Sequence, residues 1–179
     1  MLDGLKKAPL KPDIVTNNKI DLLSALSENL IIELKNTLWA LNSKEIYLND
    51  LKTKMLNFIK NASEAKEDVK FNFKFDFSEN FNINSKQAVN LFRAVQEIVN
   101  NALKYANATE IKIDVQLSSN NLNIKIADNG IGFDYEKDKV KSYGLQNIKA
   151  RIEAVNGTMN LVTEAGKGTA YTIQLKIEN

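Results

Sequence analysis

QEIVNNALKYANAT, residues Gln96 to Thr109, decides the reading of this chain. Valine, isoleucine, leucine and alanine recur there at helical spacing, yet two adjacent asparagines, Asn100 and Asn101, interrupt them. Asparagine is a poor helix-interior residue, because its amide competes for nearby backbone groups. Extended backwards, the pattern predicts a helix over roughly Ser85–Ala106. At about 100° per residue, Leu91, Val95, Ile98, Val99 and Ala102 share one face. Asn90, Arg93, Glu97, Asn100, Asn101 and Lys104 share the other. Glu97 and Asn101 lie one turn apart, so their side chains are neighbours. A carboxylate beside an amide oxygen suits Mg²⁺, a hard cation that takes a few protein oxygens and leaves the rest to water and phosphate. Lys104, a turn further on, can meet phosphate charge. A solvated polar face explains the same stripe equally well.

Upstream, VKFNFKFDF alternates strictly, with Val69, Phe71, Phe73, Phe75 and Phe77 on one side, as in a half-buried strand. Before it, Leu51, Met55, Phe58, Ile59 and Ala62 predict a helix over Asn49–Ala65, capped by Asn49 or Asp50. Earlier still, Ile20, Leu23, Leu30, Leu34, Leu38 and Leu41 form an apolar stripe on a helix from about Asn18, with Trp39 near its end. Pro9 and Pro12 make the first dozen residues a linker or turn, and LDGLKKAPLKPD reads as a start cut into something larger. Downstream, EIKIDVQL and LNIKIAD are two alternating strands joined by SSNN, a hairpin turn. A charged, glycine-bearing loop runs from Asp128 to Tyr143, and a helix over Leu145–Val155 stops at Asn156-Gly157. Two strands around EAGKGT close the chain. Helices grouped around a mainly antiparallel sheet predict an α+β fold, a two-layer α/β sandwich with the first helix projecting outside. The compact part, from about Ala65, has an ordinary domain size.

Composition narrows the chemistry. The 179 residues carry a net charge of +2, 44% hydrophobic and 26% charged residues, as in an ordinary soluble globular protein. Arg93 and Arg151 are the only arginines, which disfavours a nucleic-acid footprint. With no cysteine there is no disulfide or thiolate chemistry. With no histidine, any chemistry runs on carboxylates, amides and lysines. No apolar run approaches the ~18–20 residues needed to span a bilayer, and no secretory signal opens the chain.

Three further stretches carry candidate sites. DNGIGFD follows a strand directly; Asp128 at its head could accept a hydrogen bond from an exocyclic amine such as adenine's, while Gly130 and Gly132 let backbone approach a flat ligand. SYGLQNIKARIEAVNG puts Gly144 before a helix start, where free N–H groups favour phosphate. EAGKGT, Glu164 to Thr169, is a glycine-rich turn without Walker spacing. A turn, a glycine-assisted helix start and a plain hairpin account for the three separately.

Together, in this order and spacing, the Glu-x-x-x-Asn, Asp-x-Gly-x-Gly, Gly-Leu and Gly-x-Gly-Thr boxes resemble those of the GHKL ATPases, which include gyrase, the MutL proteins and the sensor histidine kinases. ELKNTLWALN, about 60 residues upstream of the asparagine box, is similar to the second dimerisation helix of the nitrate-sensor-like histidine kinases. The resemblance spans about Asn18 to Ile177. It implies a Bergerat-type ATP-binding fold over 46–179, a mixed, mostly antiparallel sheet with helices on one face. Residues 1–45 would be a linker and the second helix of a dimerisation and phosphoacceptor hairpin. It implies ATP and Mg²⁺ as cofactors, with Asn101 holding the metal and Glu97 as the catalytic glutamate orienting water or the metal shell. Lys104 and Tyr105 match the phosphate and ribose positions. Asp128 matches the reader of the adenine amine, with Gly130 and Gly132 beside the base. Gly144 and Leu145 match the lid hinge and phosphate-binding helix start. Gly166, Gly168 and Thr169 match the final box, whose threonine helps hold the aspartate and a water.

Two positions depart from the pattern: Ser142 stands where the lid box usually has its first glycine, and Tyr105 where this subfamily often has histidine. The largest departure is the absent phosphoacceptor histidine, which places the acceptor on an upstream helix. The implied protein is a protein-histidine kinase catalytic domain that passes the γ-phosphoryl group to that histidine, for onward transfer to a response regulator with a helix-turn-helix output domain. It implies a homodimer of the full-length protein through the N-terminal helix, and a cytoplasmic domain of a membrane-anchored sensor kinase without direct nucleic-acid or membrane contact. A serine kinase of the anti-sigma type and a nucleotide-dependent interaction module without phosphotransfer are the alternatives.

Overall fold

The structure, a computed structural model, describes residues 46–77, 81–135 and 143–177, together with Leu23, Ser24, Ser27, Leu30, Ile31, Leu34, Leu38 and Trp39. The chain divides into two units, Met1–Trp39 and Ala40–Asn179. In the first, the eight described residues are helical, and Leu23, Leu30, Leu34 and Leu38 are exposed. Most of the helix expected over Asn18–Leu41, and Ser142, lie outside the described residues.

The second unit begins with β1 (Ile46–Tyr47), which runs into α1 (Leu48–Ala65). The helix cap differs from expectation. Tyr47 is the capping residue, and Asp50 reaches back from the first turn to accept the Tyr47 backbone N–H at 2.9 Å. Leu48, Leu51, Met55 and Ile59 are buried, on the predicted face. After β2 (Lys70–Asp76) comes β3 (Asn82–Ile83), which pairs antiparallel with β1. Two-residue strands carry no periodicity, so neither is visible in the sequence. Asn84 then caps α2 (Ser85–Tyr105), its side chain accepting the Lys86 N–H at 2.8 Å. The predicted apolar face of α2 is buried throughout, from Leu91 to Ala102.

The remaining elements are β4 (Glu110–Ser118), β5 (Asn121–Asp128), α3 (Tyr143–Glu153), β6 (Thr158–Thr163) and β7 (Thr169–Lys176). Ser119 and Asn120 both have positive φ, the geometry that joins strands through a two-residue hairpin. α3 starts two residues earlier than expected and stops where Asn156 turns left-handed at φ 58°. The main sheet has the order β2-β4-β5-β7-β6, with β2 parallel to β4 and every other pair antiparallel.

Alternation sorts the sheet into two faces. Across the strands, Val115, Ile124 and Ile173 form one buried rung, and Ile113, Ile126 and Tyr171 the next. The opposite face carries Lys112, Asp114, Asn123, Lys125 and Gln174, with Gln174 donating to Asn123 at 3.1 Å. One face packs in the core and the other meets water, as in antiparallel sheets with a single covered side.

Candidate nucleotide site

Continuing along the buried face, the rung after Ile113–Ile126–Tyr171–Leu161 is Ile111–Asp128–Thr169–Thr163. The alternation that supplies aliphatic side chains thus delivers a carboxylate and two hydroxyls at the end of the sheet. Asp128 Oδ1 accepts the Gly130 backbone N–H at 2.9 Å. Burial nevertheless holds its carboxyl above the usual range, outweighing the opposing pull of the Gly130 and Thr169 backbone donors.

The loop after Asp128 is pinned by backbone and side-chain hydrogen bonds. Asn129 Oδ1 accepts the N–H groups of Thr109 and Glu110, both at 2.9 Å, while its amide donates to Thr109 Oγ1. The Ile131 N–H reaches Ala106 O at 2.7 Å, and the Gly166 N–H reaches Ile131 O at 2.6 Å. Two glycines permit this approach. Gly132 has φ +59° and a Cβ there would lie 2.0 Å from Glu164 O; Gly168 has φ +77° and a Cβ would lie 2.1 Å from Asp128 O. Thr163 Oγ1 ties the two loops together, accepting the Phe133 N–H at 3.1 Å and lying 3.3 Å from Thr169 Oγ1.

The opposite wall is α2. Glu97, Asn101 and Tyr105 recur at helical spacing, and the start of α3 lies over them: a Cβ on Gly144 would meet Glu97 Oε1 at 2.7 Å and Asn101 Nδ2 at 3.3 Å. Between these walls is a cavity of about 570 Å³, within the range of small-molecule sites. Of the residues singled out in the sequence, Glu97, Asn101, Tyr105, Asp128, Gly132, Gly144, Leu145 and Thr169 line it. Lys104, Gly130, Gly166 and Gly168 do not. Lys104 is exposed, Gly130 lies against the Ala106 carbonyl, and Gly166 turns in open space.

Sequence reading missed Ile131, Phe133, Tyr143 and Tyr171 in the wall, and Asn129 and Thr163 behind it. Tyr171 sits in the regular alternation of Thr169, Tyr171, Ile173 and Leu175, so it looked like core. Its one signal was a hydroxyl among aliphatic neighbours.

Among the described residues no group of three or more His, Cys, Asp or Glu is placed to hold a metal. Glu97 and Asn101 offer oxygens on one wall, a donor set that fits Mg²⁺ as part of a shell completed by phosphate and water. No described helix is long and apolar enough to cross a membrane.

Residues 86–179 match the family of histidine kinase-, DNA gyrase B-, and HSP90-like ATPases. The chain is 29% identical over 174 residues to the oxygen sensor histidine kinase NreB of Staphylococcus carnosus, covering 97% of this chain and 49% of that protein. It is 38% identical over 92 residues to the signal transduction histidine-protein kinase/phosphatase DegS of Bacillus subtilis, covering 50% and 24% respectively. It therefore spans less than half the length of these relatives. Among solved structures, the Acinetobacter baumannii histidine kinase AdeS superposes with a TM-score of 0.63 at 21% identity, over 94% of this chain and 87% of that one. The ATP-binding domain of PrrB from Mycobacterium tuberculosis gives 0.59 at 19% identity, over 76% and 100%. These likenesses establish the fold.

Proposed function

The chain belongs to the histidine kinase-, DNA gyrase B-, and HSP90-like ATPases, and on that footing we propose that residues 46–179 are the ATP-binding catalytic domain of a two-component sensor histidine kinase. The observation that carries this reading is the convergence of Glu97, Asn101, Asp128, Gly144 and Thr169, from α2, β5, α3 and β7, on one cavity. Asp128 is an acceptor suited to the exocyclic amine of adenine, and its two backbone donors keep its carboxyl oriented. The α3 start presents backbone N–H groups for phosphate beside Glu97 and Asn101. Bound Mg²⁺ would neutralise phosphate charge, with the Asn101 amide oxygen as its protein ligand and Glu97 orienting the surrounding water. Tyr105 flanks the ribose side. Lys104, on the surface, contributes a long-range positive charge.

Phosphoryl transfer then depends on holding an acceptor in line with the bound nucleotide. The bond to the γ-phosphorus breaks with ADP leaving, and a new bond forms to an imidazole nitrogen. That imidazole belongs to another segment or chain, since this sequence has no histidine. On this reading residues 1–45 supply a linker and the second helix of a dimerisation hairpin, and the exposed leucines Leu23, Leu30, Leu34 and Leu38 belong to its pairing face. The phosphohistidine would pass its phosphoryl group to a response regulator with a helix-turn-helix output domain, in a cytoplasmic domain of a membrane-anchored kinase.

Incubated alone with Mg-ATP, this chain should acquire no acid-labile phosphate. Mixed with a histidine-bearing helix hairpin from its own kinase, it should label that histidine. Acid-labile label on the isolated chain would refute the reading, as would failure to label a matched hairpin.

A further inference from the structure

Asp128 and Thr169 line the cavity side by side at the end of the sheet. Asp128 accepts only. Thr169 has a hydroxyl shared with Thr163. Thr163 Oγ1 takes the Phe133 N–H, and its own hydrogen has three acceptors in reach, Gly168 O at 3.2 Å, Thr169 Oγ1 at 3.3 Å and Phe133 O at 3.5 Å. In the 3.3 Å Thr163–Thr169 contact either hydroxyl can be the donor, so Thr169 serves a ligand as donor or acceptor.

Tyr171 is different. It lies two residues beyond Thr169 on the same face of β7, borders the cavity, and is 4% exposed. No hydrogen bond from its hydroxyl is present among the described residues. Its ring is buried but its oxygen is not among the sealed polar atoms without a partner, so the hydroxyl opens on the cavity, where a partner can enter. The ring alone would fill the rung beside Ile126 and Leu161; the hydroxyl is the part that packing does not need. Burial, and then the charges of Asp128 and Glu97, push its ionisation up, so it stays a donor throughout the physiological range. Adenine's amine is a donor and pairs with a carboxylate. The ring nitrogens on either side of the amine-bearing carbon, N1 and N7, accept only and need a donor.

We propose that Tyr171 is a specificity-determining residue whose hydroxyl donates a hydrogen bond to one of these two ring nitrogens while Asp128 takes the amine. This rests on the nucleotide reading above and extends it from one polar contact with the base to two of opposite sense.

The test is calorimetric binding of ADP, 1-deaza-ADP and 7-deaza-ADP, each with Mg²⁺, to the whole chain and to Tyr171→Phe. Tyr171→Phe should weaken ADP roughly 3- to 10-fold, the scale of one neutral hydrogen bond, without lowering the melting temperature of the ligand-free protein. One deaza analogue should bind the unaltered chain more weakly by a similar factor and be indifferent to the substitution. Equal ADP affinity in the two proteins would overturn the proposal, as would an equal loss for all three nucleotides. Should Tyr171→Phe prove unstable, the analogues on the unaltered chain decide: both binding as tightly as ADP would also overturn it. An unaltered chain that binds no ADP would remove the nucleotide reading itself, and the role of Tyr171 with it.

Discussion

In the Val115–Ile124–Ile173 rung every side chain is sealed in the core, whereas four residues along the same strands the Ile111–Asp128–Thr169–Thr163 rung carries a carboxylate and two hydroxyls, with Asp128 and Thr169 at the wall of a cavity. Both rungs lie on one face and arise from the same alternation. The first contributes apolar burial, about 25 cal/mol per Å², and holds the sheet together without a ligand. The second gives up that contribution and leaves a charged group partly desolvated. The contrast separates residues that stabilise the fold from residues that await a partner, and each prediction below tests that separation.

Ile124→Ala should have the largest effect. The side chain is fully buried, and truncation at such positions costs about 2–5 kcal/mol. Chemical denaturation should show this loss, while the folded fraction keeps its affinity for Mg-ADP. A loss below about 1 kcal/mol would erase the contrast from the packing side.

Gly168→Ala should strike both rungs. It forces a side chain into φ +77° and drives a Cβ to 2.1 Å from Asp128 O, a strain of about 1–3 kcal/mol. Melting temperature and nucleotide affinity should fall together. Retained affinity would mean the loop relaxes without moving Asp128.

Asp128→Ala should act on the ligand-bound state. Saturating nucleotide adds RT ln(1 + [L]/Kd), about 2.7 kcal/mol at a hundredfold excess over Kd. Losing a charge-assisted hydrogen bond of ~1.5–3 kcal/mol removes most of that. GTP, whose base presents a carbonyl in place of the amine, should stabilise the unaltered protein little. Equal thermal shifts with ATP and GTP would sink the adenine assignment.

The smallest effect concerns pH. Burial holds the folded Asp128 carboxyl above the ordinary carboxylate range, so the folded chain binds that proton more tightly than the unfolded one. The ionised group therefore lowers stability above its folded pKa, and the deficit fades as pH drops towards the unfolded value. Ligand-free Asp128→Asn should be slightly more stable than the parent at neutral pH, with the gain shrinking in acid. A gain that grows in acid would reverse the assigned sign.

The phenylalanine strand shows where sequence reading reaches its limit. Alternation placed Phe71, Phe73, Phe75 and Phe77 on one side, and they do share it. What alternation does not reveal is that β2 is an edge strand, parallel to β4. Phe73 is consequently 49% exposed, and the Lys52 ammonium sits 5.5 Å and 5.7 Å from the rings of Phe75 and Phe77. The asparagine helix was more legible, because a 3.6-residue period sorts its two faces with no knowledge of what packs on them.

Local chemistry by itself determined the long elements, their inward faces, the hairpin at Ser119–Asn120 and the left-handed stop at Asn156, while the resemblance of the four boxes to those of the GHKL ATPases pointed to the motif members now lining one cavity. The tertiary structure alone decided which of them meet. Register put Asp128 opposite Thr169, a hydroxyl from Thr163 bridged to a loop 30 residues away, and the start of α3 settled on Glu97 and Asn101. It also turned Tyr171 from an ordinary inward position into part of the wall. Periodicity is a property of neighbours along the chain, whereas a cavity is made by residues that only pairing and packing bring together.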